Sequence, residues 1–127
     1  MILENTVLIV DDEESIHELY KEFFKELGYE VLSAYDVADA SKIIEEKKPE
    51  IVLLDLMLPS GSGYNICKKI KNHDETKKIK VIMLTGMINQ QYKLNSLAAG
   101  ADDFIQKPSS LNYLERAINK LKHKKNN

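Results

Sequence analysis

Short apolar runs rich in β-branched residues alternate along the chain with longer stretches in which apolar residues recur every three or four positions. The first rhythm suits strands and the second amphipathic helices, so the succession reads as repeated β/α units. Val7-Leu8-Ile9-Val10 is continuously apolar, which predicts a first strand over 6–10 with helices covering both faces of its sheet. A first helix then carries a stripe of Ile16, Leu19, Tyr20, Phe23, Phe24 and Leu27, and Gly28 stops it as a left-handed cap. Residues 30–34 read as a second strand. Asp36 can cap a helix running through about Lys47 that turns Ala40, Ile43 and Ile44 inward.

Pro49 marks a boundary, and Ile51-Val52-Leu53-Leu54 predicts a third buried strand that leaves Asp55 just past its carboxyl end. A loop over 56–62 holds Pro59 and Gly61, and a helix over 63–72 is expected to bury Ile66, Cys67 and Ile70. Residues 80–84 form a fourth strand. A polar helix over 89–99 follows, with Tyr92, Leu94 and Leu97 as its larger nonpolar residues and Gly100 as its stop. Residues 103–106 make a brief fifth strand, and Leu111, Leu114, Ala117, Ile118 and Leu121 define the last helix. Residues 123–127 are expected to be a frayed tail or the start of a linker.

Five such units are too few for a closed eight-unit barrel. They predict an α/β fold with five surrounding helices and an open five-stranded parallel sheet, flavodoxin-like, in strand order 2-1-3-4-5. In such sheets the loops at the carboxyl ends of the strands converge where strand order reverses. That rule gathers Asp11, Asp12, Asp55, Thr85 and Lys107 at one edge, although they lie far apart in the chain.

Composition narrows the setting. The 127 residues are 43% hydrophobic and 30% charged, enough to bury a core in one domain over 1–127 and too apolar for wholesale disorder. The single Cys67 cannot form an intrachain disulfide, and a reducing compartment is compatible. No stretch approaches the length needed to cross a bilayer, and the start lacks a basic segment followed by a long apolar run. The expectation is a cytoplasmic protein without membrane insertion. The net charge of -2 conceals an asymmetry, because residues 4–30 hold nine acidic and two basic residues whereas 68–80 is rich in lysine. The lysines there and over 120–125 read as solvated helical faces. There is no second helix-turn-helix module or interleaved aromatic and basic pattern, so direct nucleic-acid binding is not expected.

The chemistry lies in the joint placement of a few polar residues. An isolated acidic pair after a strand is more often a solvated loop or helix cap. Here the pair Asp11–Asp12 follows strand one, Asp55 follows strand three and Lys107 follows strand five. Clustered carboxylates repel unless neutralised, and Mg²⁺, with Mn²⁺ as an alternative ion, accepts carboxylates, carbonyls and waters in an octahedron. Asp12 and Asp55 are assigned direct metal contacts, Asp11 a direct or water-mediated one, and the Met57 backbone carbonyl a further contact, its thioether being too soft. Asp55 can attack an activated phosphoryl donor. Thr85 can donate its hydroxyl to a phosphoryl oxygen, and Lys107 can neutralise another or pair with Asp55 before transfer. A cis Lys107–Pro108 bond could aim the lysine inward, but the isomer is not legible in sequence.

The segments VLIVDDEE, IVLLDLMLPSGSG, VIMLTG and GADDFIQKP, in that order, make the chain resemble a response-regulator receiver domain of two-component signalling over residues 5–122, similar to the chemotaxis response regulators. The resemblance implies Asp55 as phosphoacceptor, Asp11 and Asp12 as the acidic metal pair, Thr85 as the switch hydroxyl, Lys107 as the phosphoryl-contacting lysine and a cis bond to Pro108. It implies a sensor histidine kinase or histidine phosphotransfer protein as donor. An output protein or effector domain is implied downstream, and a phosphorylation-dependent homodimer is compatible. Phe104, three residues before Lys107, matches the switch aromatic, and the resembling family signals through the face of its fourth helix, fifth strand and fifth helix. Gln91, Lys93 and the exposed side of 112–122 are candidates there, with Asn95 behind them. Met57 and Met87 match positions that tune water access to the phosphate, and two apolar side chains there imply slow self-dephosphorylation.

Two other functions fit parts of the pattern. A phosphohydrolase with an aspartyl intermediate shares the Mg²⁺ and Asp chemistry, but its D-x-D after the first strand is here an adjacent pair with the acceptor far downstream. A constitutive protein-interaction domain of receiver shape would have no need of Asp12, Asp55, Thr85 and Lys107 together.

Overall fold

A computed structural model describes residues 1–86, 89–107 and 110–124, with side chains through Lys122. The strands are β1 (Leu3–Val10), β2 (Glu30–Ala34), β3 (Pro49–Asp55), the two-residue β4 (Met57–Leu58) and β5 (Gly61–Ser62), β6 (Lys80–Thr85) and β7 (Asp103–Gln106). The helices are α1 (Glu14–Glu26), α2 (Val37–Lys47), α3 (Gly63–Lys71), α4 (Gln90–Ala98) and α5 (Leu111–Lys124). Five strands form one sheet in the order β2-β1-β3-β6-β7, all parallel. This is the expected 2-1-3-4-5 order, because β4 and β5 form a separate antiparallel hairpin in the loop after β3.

The apolar strand runs divide between two cores. Leu8, Val10, Val52, Leu54, Val81 and Met83 pack with Ala40, Ile44, Ile66 and Ile70 of α2 and α3. Their chain neighbours Val7, Ile9, Ile51, Leu53, Ile82 and Leu84 pack on the other face with α1 and α5. Period-two side-chain alternation thus explains why uninterrupted apolar strands were required. Each such side chain contributes about 1.5–3 kcal/mol on full burial.

The expected elements are present, with differences in detail that include an exposed Leu111 at the start of α5. β1 begins at Leu3 rather than residue 6, because Leu3 pairs with Pro49 across an irregularity between Leu3 and Val7 where Asn5 has φ 57°. Pro49 is therefore the first residue of a strand, a position where its missing N–H costs no ladder bond. On α1 the buried face is Ile16, His17, Tyr20, Phe23 and Phe24, while Leu19 and Leu27 are exposed. On α4 the larger residues Leu94 and Leu97 are about half exposed, at 49% and 48%, and Ser96 is the buried residue. The last helix continues to Lys124, past the tail expected from residue 123, and 125–127 lie outside the described residues.

Helix ends follow the expected chemistry. Asp36 accepts a hydrogen bond from the Asp39 N–H at 2.9 Å at the start of α2. Gly28 (φ 90°) and Gly100 (φ 97°) hold the left-handed conformations that stop α1 and α4. Asp36→Ala leaves that N–H uncapped and is expected to lower stability by about 1 kcal/mol, measured by urea unfolding. An unchanged midpoint would mean that the contact contributes nothing to α2.

Candidate functional site: an acidic crevice at the sheet edge

Strand register brings the polar residues together. Val10 pairs with both Ala34 and Leu54, Asp55 pairs with Leu84, and Thr85 pairs with Gln106. The residues that follow β1, end β3 and β6, and follow β7 therefore emerge at one edge of the sheet. Asp11, Asp12 and Asp55 offer carboxylate oxygens that all lie within 4.8 Å of one another, with Asp11 and Asp55 buried and Asp12 exposed.

Lys107 reaches into this group from the far side. Its Nζ donates to Asp11 Oδ2 at 2.7 Å and lies 3.5 Å from Asp55 Oδ2. Its backbone N–H donates to the Thr85 carbonyl at 2.8 Å, which ties the lysine to the end of β6. Thr85 itself is buried. The Met57 N–H donates to Asp55 Oδ1 at 3.4 Å, so the residue two beyond Asp55 lies beside its carboxylate, while the Met57 side chain is exposed.

The electrostatics follow from burial. Asp55 is raised from 3.8 to about 6, first because burial disfavours its charged form and next because the Asp11 charge repels it; Lys107 and the Met57 N–H offset this in part. Lys107 is pulled down by burial, but its hydrogen bond to Asp11 and the charges of Asp11, Asp55 and Glu13 outweigh that and hold its ammonium above the ordinary value. Three hard oxygen donors with one nearby ammonium form a set suited to a small divalent cation.

Two residues of this region carry signals that the motif reading missed. A Cβ at Gly63 would lie 2.4 Å from the Asp55 carbonyl oxygen, so α3 can start this close to the site only with glycine there. The Gly63 N–H also donates to Leu56 O at 2.9 Å, closing the loop that carries the hairpin. His17 is buried beneath Asp11 and contacts its backbone carbonyl through Nε2 at 2.8 Å. Its spacing to Tyr20 and Phe24 places it on the inner face of α1, a polar residue where the stripe calls for an apolar one. Phe104 is half-buried against the α2–α3 core and borders an open cleft of about 440 Å³ with Asn89, Lys93, Gln106 and Tyr113. Gln91, Lys93 and Asn95 are exposed on α4. Pro108 and Met87 lie outside the described residues.

This fold has counterparts among known proteins. The model of the response regulator receiver domain matches residues 7–119. The phosphate regulon transcriptional regulatory protein PhoB of Pseudomonas aeruginosa is 41% identical over 105 residues, which cover 83% of this chain and 46% of that protein. A two-component response regulator from Clostridium difficile superposes with a TM-score of 0.89 at 28% identity, covering 96% of this chain and 98% of that one. A solved DrrB receiver domain described as BeF3-activated superposes at 0.84 with 29% identity, covering 97% and 99%. The chain belongs to the response regulator receiver domain family. It spans about half the length of the curated relatives it matches. No helix among the described residues is long and apolar enough to cross a membrane.

The raised Asp55 carboxyl makes metal-free stability depend on pH. With the folded value near 6 against 3.8, the protonated acid contributes stability that is complete below about 3.8 and is lost as pH rises through about 6. Asp55→Asn removes that loss and is expected to stabilise the metal-free protein by about 1–3 kcal/mol at about pH 7.5. The gain should fade towards about pH 4, as read by urea unfolding at each pH. A variant no more stable than the parent at the higher pH would contradict the charge crowding at this edge.

Proposed function

We propose that the chain is a phosphorylation-dependent switch in which Asp55 accepts a phosphoryl group from the phosphohistidine of a sensor histidine kinase or histidine phosphotransfer protein. The observation that carries this reading is the convergence of Asp11, Asp12 and Asp55 within 4.8 Å, with Lys107 bridging Asp11 and Asp55. The residues that would hold Mg²⁺, or Mn²⁺ in its place, are Asp11, Asp12, Asp55 and the Met57 backbone carbonyl. An ion held there would neutralise the carboxylates and offset the charge on the phosphoryl oxygens during transfer.

The rest is work for the chain's own side chains. An Asp55 oxygen forms a bond to phosphorus as the bond from phosphorus to the donor imidazole nitrogen breaks, and the donor ring, protonated at its other nitrogen, keeps that electron pair and leaves as neutral imidazole. Lys107, which neutralises Asp11 and Asp55 beforehand, turns to a phosphoryl oxygen, and the Thr85 hydroxyl donates to another. The added charge of roughly -1.5 to -2 draws both inward. Thr85 ends β6 and Phe104 lies in the neighbouring β7, so the change reaches the α4–β7–α5 face, where an output protein, an effector domain or a second copy docks. We read residues 1–127 as one receiver unit acting in the cytoplasm, with no direct nucleic-acid contact of its own. The description of the DrrB domain as BeF3-activated supports switching over constitutive binding in a close structural relative.

Intact-mass analysis after incubation with acetyl phosphate tests the central step. One phosphoryl group is expected per chain, dependent on Mg²⁺ and lost in Asp55→Ala. Continuous turnover of phosphomonoesters would favour the hydrolase instead, and a partner bound equally with or without beryllofluoride and Mg²⁺ would favour the constitutive module. Lifetime gives a second test. The exposed Met57 thioether cannot orient an attacking water by a strong hydrogen bond, so the phosphorylated domain should lose phosphate slowly. Met57→Asn is expected to shorten that lifetime, and rapid loss from the parent that Met57→Asn leaves unchanged would reject the argument.

A further inference from the structure

We propose that His17 is a positioning residue that fixes Asp11 in the orientation needed to hold the divalent ion, an inference that rests on the metal-assisted function proposed above. Every polar group of Asp11 has a partner. Its N–H donates to Ala34 O at 3.2 Å, its Oδ1 accepts from the Glu13 N–H at 2.9 Å, its Oδ2 accepts from Lys107 at 2.7 Å, and its carbonyl contacts His17 Nε2 at 2.8 Å. Two of these partners are side chains, and Lys107 is the one the switch reaction calls away to the phosphate. His17 is then the side-chain tether that remains on Asp11.

The ring is built to stay in place. A carbonyl only accepts hydrogen bonds, so Nε2 carries the proton towards Asp11. Nδ1 meets the Ser33 hydroxyl at 3.0 Å on β2, and the ring stacks on Tyr35 with centroids 4.1 Å apart at 30°. Tyr35 is in turn held by its hydroxyl, which donates to Glu14 Oε2 at 2.7 Å on α1. His17 thus joins the first turns of α1, the end of β2 and the residue after β1 at one buried point. An apolar side chain would fill the same space, as Tyr20 and Phe24 do below it, but could not hold the Asp11 carbonyl. Partners that orient the ligands of a metal commonly matter about 10-fold or more to metal affinity.

Calorimetric titration of the purified chain with Mg²⁺ tests this, with metal-free thermal unfolding recorded beside it. His17→Leu is expected to weaken Mg²⁺ binding about 10-fold. His17→Gln, whose amide can donate from the place of Nε2, should recover most of that loss. In the metal-free parent, imidazole nitrogen resonances should show His17 protonated at Nε2. A parent that takes up no Mg²⁺ overturns both the proposed function and this role. A parent that binds it while His17→Leu binds equally well overturns the His17 role alone, as does a His17→Gln variant as weak as His17→Leu, which would reduce the residue to packing. Proton occupancy at Nδ1 alone would overturn it as well. Should His17→Leu fail to fold, Ser33→Ala releases Nδ1 and is expected to weaken Mg²⁺ binding in the same direction, and no change there would overturn the proposal.

Discussion

The structure depends on holding two buried carboxylates, Asp11 and Asp55, beside each other and beside Asp12 at the end of a parallel sheet. At an effective dielectric of about 20, two unit charges at this range repel by roughly 3 kcal/mol. Nothing about folding favours such a cluster for its own sake. It persists because β1 and β3 are locked side by side through the register from Val7 with Ile51 to Val10 with Leu54, and because Lys107 lies between the two acids. Burial first, and the Asp11 charge second, push the Asp55 carboxyl up to about 6. The cost is borne by the apolar strands, and the result is a site in which one lysine faces three carboxylates.

Lys107 and the Asp11–Asp12 pair come from opposite ends of the chain, and the sheet order is what unites them. Between β1 and β7 stand β3 and β6, so Lys107 must extend back along the edge to reach Asp11. Its N–H on the Thr85 carbonyl fixes where that reach begins. Any shift of the β6 end therefore moves the lysine as well as the threonine. Two responses that look separate in sequence are one mechanical unit at the edge of the sheet.

Much of this was legible from residue order. The continuous apolar runs located the strands, since a strand covered on both faces cannot alternate, and the acids at strand ends then fell into the crevice without further information. What escaped was whatever depends on helix phase or on non-local contact. Leu19, Leu27 and Leu111 satisfy an apolar spacing yet are exposed, because neighbouring stripes on one helix differ by a single step of 100° and tertiary packing selects between them. His17 escaped because a histidine among apolar helix residues gives no hint that its partners are a carbonyl six residues back and a serine on β2. The hairpin of β4 and β5 is two residues a side, too short for any periodicity to register.

The helices are held unequally, and the inequality has a direction. α1 sinks Ile16, Tyr20, Phe23 and Phe24 into one core, and α5 adds Leu114, Ala117, Ile118 and Leu121 to it. α4 buries Ser96, whose hydroxyl turns back to the Tyr92 carbonyl at 2.8 Å, and leaves Leu94 and Leu97 half in solvent. Elements with little buried apolar surface open and shift at the lowest free-energy cost. Asp11 and Asp12 follow β1 and Asp55 ends β3, two strands paired side by side from Val7 with Ile51 to Val10 with Leu54, whereas Thr85 and Lys107 stand where the chain enters and leaves the α4–β7 side. A charge added at Asp55 is accordingly resisted by the acid-bearing strands and relieved through the threonine and lysine. Gly86, where an added Cβ would meet nothing within 4 Å, leaves room for that movement at its first step. The three carboxylates thus sit at the end of the paired β1 and β3, while the threonine and lysine border the thinly packed α4.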